Sequence, residues 1–543
     1  MSKIRWNLNP RACIAGERKK SDVAIQRIVA NKVQATIVNV AILTQHYFHI
    51  ILAMFDSKMV PARQRLPGHR NTSLAKQFIF VLLSGAFFCV PHTVIAETGA
   101  QDTTSSNIDL AAIEVSPPAK NLTDNLPLAP KGWGVYGQFT GVSQTHPGFS
   151  SPYQGQNSLS SGAASTETTD VTVFAGMRLW NGGELWMNPE VDQGFGFNNT
   201  LGMAGFPSGE SYKVGANTPY LRLPRLFYRQ TVNLGGKEQT VAPGANQIGG
   251  TQTADNIIMT LGKFSVVDIF DTNSYAHDPR ADFMNWSIVE SGAFDYAADA
   301  WGFAKGVSLE WTQSWWTLRS GFFDLSTIPN TTILDQSFRQ HEWVGEAEER
   351  HQLWEHPGKL KLLYFVNQGD FGNYADAVQL AQRTGSTPNT SLVRRYSSRP
   401  GGAVNLEQEV SANMGLFARA SMNDGSKEAD EFSEINQSVT AGLSLKGDQW
   451  GRHDDTFGWA AVVNGISSDA RSYFAAGGMG ILIGDGRLPH YGSEKIMETY
   501  YSYAVHAFEH LMLTLNYQYV VNPAYNQDRG PVSIIGARVH MEF

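Results

Sequence analysis

The sequence predicts an all-β protein: a transmembrane antiparallel barrel of about sixteen strands for a bacterial outer membrane. Three observations carry that expectation. The chain ends in an alternating strand, the connectors between its strand candidates alternate long and short, and an export signal lies upstream of them all. In the last strand Met541, Val539, Ala537 and Ile535 face one way, and Glu542, His540, Arg538 and Gly536 the other. A soluble strand of this pattern turns its apolar side into a core, whereas an outer-membrane barrel turns it into lipid and leaves the charged side in a wet lumen.

Export is read from the front of the chain. Arg63, Arg65, Arg70 and Lys76 precede the apolar run Phe78–Val90, and Val94-Ile95-Ala96 offers small or β-branched residues for cleavage after Ala96. At roughly 13 residues the run is too short for a stable helical span. Met54 and Met59 stand at ordinary distances for translational starts, so residues 1–53 are expected to be a spurious extension and 54–96 the signal-peptide region. A Pro/Ser/Thr-rich linker is expected over 97–130 and the barrel over 131–543. Both cysteines, Cys13 and Cys89, fall in the removed part, which leaves neither a disulfide nor a thiolate metal site. Residues 97–543 hold 29 Lys plus Arg and 47 Asp plus Glu, a formal net charge of −18 that argues against nucleic acid as a partner. No apolar window near 18 residues remains there for a helical span. The terminal Phe543 suits recognition by the barrel-assembly machinery.

Strands are expected at 132–143, 169–180, 183–193, 222–232, 254–264, 297–311, 313–325 and 338–353. The second half follows at 358–367, 401–411, 413–422, 433–446, 456–464, 494–506, 509–520 and 531–543. Asn181-Gly182, Thr312, Trp354 to Pro357, Ala412 and Ala507-Phe508 make tight turns. The segments 144–168, 194–221, 265–296, 368–400 and 465–493 are long and rich in Gly, Ser, Asn and Asp. Short periplasmic turns alternating with long external loops are what an outer-membrane barrel requires, and a β-sandwich has no reason to produce them. The exception is 233–253, a Gly/Gln/Thr-rich connector where a short turn is expected.

Alternation within the strands agrees. Val171, Val173, Ala175, Met177 and Leu179 oppose Thr172, Phe174, Gly176, Arg178 and Trp180, while Leu185, Met187 and Val191 oppose Glu184, Trp186, Asn188, Glu190 and Asp192. Charged residues recur on the polar face of nonadjacent strands: Arg225 and Arg229, Glu310, Arg319, Glu342, Glu346, Glu348 and Arg350, Glu407 and Glu409, and Arg419. Singly each is a solvated surface charge; as a set they line a pore. The chain carries no Gly-x-Ser-x-Gly element and no His-Glu-x-x-His motif, and Glu190 with Asp192 is the kind of pair that a carboxylate-lined lumen makes by chance. No catalytic residue, cofactor or metal site is assigned.

Several motifs in order resemble the carbohydrate-selective porins of the OprB type. They are Leu261-Gly-Lys-Phe-Ser265 with Asp268-Ile-Phe-Asp271 and Asp278-Pro-Arg280, Asn405-Leu-Glu-Gln-Glu409, Gly415-Leu-Phe-Ala-Arg419, Asn423-Asp-Gly425, Glu498-Thr-Tyr-Tyr501, Gln518-Tyr-Val-Val-Asn-Pro523 and Ile535-Gly-Ala-Arg538 before Phe543. The resemblance spans 132–543 and implies a barrel that lets mono- or small oligosaccharides diffuse inward. Outer-membrane lipid and lipopolysaccharide then surround it, as a monomer or a homotrimer. In porin-like barrels the third long loop commonly folds into the lumen, and 265–297 is that loop. Arg178, Trp180, Trp186, Glu190, Asp192, Arg229, Glu310 and Arg319 on the wall, with Asp268, Asp271, Asp278 and Arg280 on the loop, are therefore expected to form the constriction. Arg, Asp and Glu replace the water hydrogen bonds of a polyol, and aromatic rings meet the apolar faces of pyranoses. A nonselective or anion-preferring porin and a surface lectin or adhesin stay open as alternatives, as does calcium held by Asp268, Asp271 and Asp278.

Overall fold

The computed structural model describes residues 132–543 apart from Val214; the expected extension, signal region and linker lie outside the described residues. The sixteen expected strands are all present. They are β1 (Trp133–His146), β2 (Ala164–Trp180), β3 (Gly183–Gly194), β4 (Ala216–Val241), β5 (Gly250–Phe264), β6 (Ala304–Gln313), β7 (Trp316–Asp324) and β8 (His341–Leu353). There follow β9 (His356–Gly372), β10 (Arg394–Ser411), β11 (Met414–Asn423), β12 (Gln437–Lys446), β13 (Thr456–Gly465), β14 (Glu494–Ala504), β15 (Leu511–Val521) and β16 (Val532–Glu542). Each pairs antiparallel with its sequence neighbours, and β1 pairs with β16 to close the barrel. Closure satisfies every strand edge, which an open sheet in lipid could not do.

Phe543 completes the seam. Its backbone exchanges hydrogen bonds with Gly137 at 2.6 and 2.9 Å, and its ring covers that glycine, where an added Cβ would come within 2.2 Å. The outer face is apolar and exposed, with Leu221, Leu261, Leu309 and Leu515 among the residues left uncovered. Aromatic residues gather at its short-turn margin, including the contacts Trp180–Tyr228 (5.7 Å), Trp311–Trp316 (5.2 Å) and Trp450–Tyr501 (6.2 Å). Such a belt and girdle match the lipid-facing surface of an outer-membrane barrel.

Several expected boundaries move, and in two strands the local cause is visible. β6 begins at Ala304 because Asp299 accepts the amides of Trp301 and Phe303 and so curls 299–303 into a turn. β4 runs from Ala216 to Val241, since the odd connector is a continued hairpin in which Val241 pairs with Gly250 and Gly244 with Gln247. Register shifts at Gly235, which has φ of 139°, kink that hairpin.

The hydrophobic core lies inside the barrel, where loops fold into the lumen. Trp286, Phe294, Tyr296 and Phe432 form one aromatic group there, joined by Phe206, Phe270, Phe323 and Phe365. Over this end, helix α1 (Tyr374–Thr384) packs on helix α2 (Ser468–Ala475) through Tyr374, Tyr473 and Phe474.

Candidate solute pathway and constriction

The loop 265–303 enters the lumen, and wall side chains hold it by its backbone. Glu346 accepts the amide of Asp271 (2.8 Å), Glu407 that of Ser274 (2.7 Å), and Glu498 those of Met284 and Asn285 (2.6 and 3.0 Å). Arg419 donates to the carbonyls of Ala276 and Ile288 (2.6 and 2.9 Å), and Arg538 to those of Pro279, Ala281 and Asp282 (2.7, 2.7 and 2.8 Å). Inward glycine makes room for it: an added Cβ at Gly415 would lie 2.0 Å from the Tyr275 ring. These anchors belong to β8, β10, β11, β14 and β16. Several inward carboxylates thus serve as acceptors for a buried loop, whose amides would be costly to leave unpaired.

Across the lumen, β2 to β4 present a charged group to the loop. Arg222 bonds both Glu190 and Asp192, Thr172 Oγ1 donates to Glu190 (2.6 Å), and Gln138 donates to the buried Asp170 (2.7 Å). Arg225 grips Asp268 in a two-pronged contact at 2.6 and 2.7 Å. On the loop, Arg280 lies 3.2 Å from Asp278 and 3.5 Å from Glu210, which belongs to the preceding loop. Burial opposes the Arg280 charge, but Asp278, Glu210, Asp170 and Glu190 outweigh it and hold its pKa well above the usual value. Aromatic faces border the cluster: Arg222 lies 5.9 Å from the Trp301 ring centre, and Arg225 lies 5.0 Å from that of Phe303. Three guanidiniums and six carboxylates therefore converge where the loop faces the wall.

The model of the carbohydrate-selective porins, OprB family, matches residues 156–543. The chain belongs to that family. The high-pH structure of OprB from Pseudomonas putida superposes with a TM-score of 0.56 at 15% identity, covering 76% of this chain and 94% of that one. The outer-membrane channel DcaP of Acinetobacter baumannii gives 0.41 at 11% identity over 76% and 99% of the two chains. OccAB1 of the same organism gives 0.41 at 11% identity over 78% and 98%. No curated protein matches the chain in sequence. The protein is an outer-membrane carbohydrate porin, with its short turns toward the periplasm and its long loops outside.

The structure brings five of the expected constriction residues of this porin together: Glu190, Asp192, Asp268, Asp278 and Arg280. It places the other seven elsewhere. Asp271 is buried and clamps the loop to itself, accepting from the Ser291 amide (2.6 Å) and hydroxyl (2.9 Å) and from Asn405 (2.8 Å). Arg319 spans Glu310 (3.0 Å), Glu346 (2.7 Å) and Glu348 (3.0 Å) in a wall network on β6 to β8.

Arg178 and Arg229 do not face the loop carboxylates. They sit near the periplasmic turns and donate to the carbonyls of Ile248 (3.2 Å) and Gly249 (3.1 Å), and of Asn246 (2.6 Å), so that they hold the tip of the β4–β5 hairpin in the barrel mouth. Trp186 lies there too, fully buried, with Tyr136 at 6.4 Å and its ring over Gly176. Trp180 faces lipid instead of the lumen. A register shift between Arg178 and Trp180 inserts one extra residue, which turns the indole outward over Gly183, where its Nε1–H donates to Gln230 Oε1 at 2.8 Å.

Sequence reading passed over Arg222, Asp170, Glu210 and Trp301. Starting the fourth strand at 222 left Arg222 at a strand end, although Glu190 is its register partner. The run Arg222-Leu-Pro-Arg225 carried the signal. Among the described residues no group of three or more His, Cys, Asp or Glu is arranged to hold a metal ion; Asp268 is held by Arg225, Asp271 by Ser291 and Asn405, and Asp278 by Arg280.

Proposed function

We propose that mono- and small oligosaccharides cross this porin by passive diffusion through the gap between loop 265–303 and the β2–β4 wall. Arg222, Arg225, Arg280, Glu190, Asp192, Asp268 and Asp278 exchange hydrogen bonds with the solute there. The observation that carries the reading is the convergence of guanidiniums and carboxylates beside the half-buried Trp301. A sugar leaving bulk water needs both donors and acceptors at fixed angles, and the planar guanidinium offers paired donors to vicinal hydroxyls. Each charge is already partnered, so a hydroxyl competes for bonds instead of being trapped, as transport requires. Three guanidiniums among six carboxylates weigh against an anion-preferring pore. No step of bond making or breaking is involved, and the protein acts as a channel and not as an enzyme.

The same reading includes a signal region at 54–96 cleaved after Ala96, delivery to the barrel-assembly machinery through β16 and Phe543, contact with lipopolysaccharide at the outer girdle, and a monomer or homotrimer. Liposome swelling across mono- and disaccharides tests the selective reading. Sugars are expected to enter faster than amino acids of equal size, and equal rates would overturn it.

A further inference from the structure

Glu494, at the start of β14, points into the lumen and accepts the amides of Ala204 (3.1 Å), Gly205 (2.7 Å) and Ala524 (2.9 Å). Its neighbour Lys495 therefore points to the lipid side, where it is exposed. The cross-strand partners of Lys495 are Val463 and Val521, and Met497 with Tyr519 forms the next outward pair toward the periplasm. Tyr503, at the short-turn margin of the same face, stands eight residues further along β14, roughly 26 Å of strand. At the usual tilt of about 40° that is a rise of about 20 Å, so Lys495 sits near the external edge of an apolar band about 25 Å tall. A Lys at that height lays its stem on apolar neighbours and lifts its ammonium to the headgroups.

Above it, α2 presents the exposed Arg471. Its Nε donates to the carbonyl of Ile466 (3.2 Å) and its guanidinium lies 3.7 Å from the Tyr491 ring centre, a ring stacked in turn on the buried Tyr525 at 6.2 Å. Ile466 is three residues beyond Val463, the partner of Lys495, or roughly 10 Å of chain. The guanidinium is thus held, and among the described residues neither it nor Lys495 has a carboxylate partner. Other cations at this end are paired, Arg394 with Glu428, Arg395 with Asp376 and Lys427 with Asp424. We infer that Lys495 and Arg471 hold a phosphate of an outer-leaflet glycolipid, whose acyl chains lie on Val463, Met497 and Tyr519. The inference deepens the lipopolysaccharide contact proposed above and rests on it. Charge complementarity selects the occupant, because unpaired cations on a chain whose residues 97–543 carry a formal net charge of −18 call for an anion. A held guanidinium beside an ammonium suits phosphate, and the apolar strip beneath them calls for an amphiphile instead of a free ion.

The test is native mass spectrometry of the purified porin in detergent, titrated with lipid A bearing its phosphates, with lipid A freed of phosphate, or with inorganic phosphate as competitor. Lys495→Gln and Arg471→Gln should each weaken retention of phosphorylated lipid A about fivefold, and the double variant about 25-fold, the worth of surface cations beside an anionic lipid. Lys446→Gln, which removes an exposed cation at the short-turn end of β12, should leave retention unchanged. Lipid A freed of phosphate should bind the parent and the double variant alike, and inorganic phosphate should not displace the intact lipid. Parental retention in the double variant, or displacement by inorganic phosphate, overturns the site but leaves a lipopolysaccharide contact elsewhere on the girdle standing. A parent that retains no lipid A overturns both. Should Arg471→Gln fail to fold, Lys495→Gln decides alone.

Discussion

Arg538 is the most informative single anchor, because one side chain on β16 holds the turn that carries Arg280. It donates to three carbonyls of that turn at 2.7 to 2.8 Å and to Thr514 Oγ1 at 3.2 Å. Hydrogen bonds from a charged donor contribute about 1.5–3 kcal/mol each, so the three together hold the turn with about 4–9 kcal/mol, an upper figure since they share one guanidinium. What would remain is the Asp282 carboxylate, which accepts the amides of His277 and Asp278 at 3.1 and 3.2 Å, and the more distant anchors Arg419 and Glu498. In Arg538→Ala the turn should leave the wall while both ends of the loop stay fixed. Arg280 then moves away from Glu210, and the constriction loses one of its three guanidiniums. Single-channel recording should show higher and noisier conductance, and the half-blocking glucose concentration should rise about tenfold or more, the worth of one charge-assisted hydrogen bond. Arg538→Lys keeps the charge but cannot fork to several carbonyls, so it should fall between. A folded Arg538→Ala barrel with parental conductance, noise and glucose block would refute the reasoning, because the turn would then be held by something other than this guanidinium.

Four further outcomes are expected. Gly415→Val should push Tyr275 off the wall, since even a Cβ there would lie 2.0 Å from the ring; conductance should rise and stability fall by about 1–3 kcal/mol, as measured by denaturant unfolding. Arg222→Gln leaves Glu190 and Asp192 without their guanidinium, so the reversal potential in a salt gradient should shift toward cations, and an unmoved potential would place this group outside the ion path. Replacing Arg178 and Arg229 together by Ala should free the hairpin tip, seen as faster amide exchange at 244–249 with the eyelet's glucose block retained. Glu434, in the loop 424–436, accepts the amides of Ile481, Leu482 and Ile483 at 2.8, 2.7 and 2.9 Å, yet burial outweighs them and pushes its carboxyl up to about 7. A carboxyl raised in the folded state contributes most below its ordinary value near 4.5 and loses that contribution as pH rises through about 7. Amide exchange at 477–486, corrected for its intrinsic pH dependence, should accelerate between about pH 5 and pH 8, and Glu434→Gln should flatten that change.

The sequence by itself determined the barrel. Period-two alternation is local, since each residue's neighbours two places away reveal its face, and so the sixteen strands, their short and long connectors and the faces of β16 were legible without any tertiary information. Glu190 and Asp192 could be put on an inward face for the same reason, whereas Asp268, Asp278 and Arg280 were expected in the lumen only because the resemblance implies an inward third loop. Height along the barrel and pairing across it were decided only by the tertiary structure. An extra residue that β4 carries between Arg222 and Arg225 puts Arg229 and Arg222 on one face although they stand seven residues apart, roughly 23 Å of strand, and that distance separates the periplasmic mouth from the charged group beside the loop. A single extra residue before Trp180 reversed its face, and no local pattern marks such a bulge. Most of all, an inward carboxylate such as Glu498 reads identically whether it meets a passing solute or a loop amide. Which one it meets depends on where a chain segment more than two hundred residues earlier in sequence comes to lie, and only the folded barrel brings the two together.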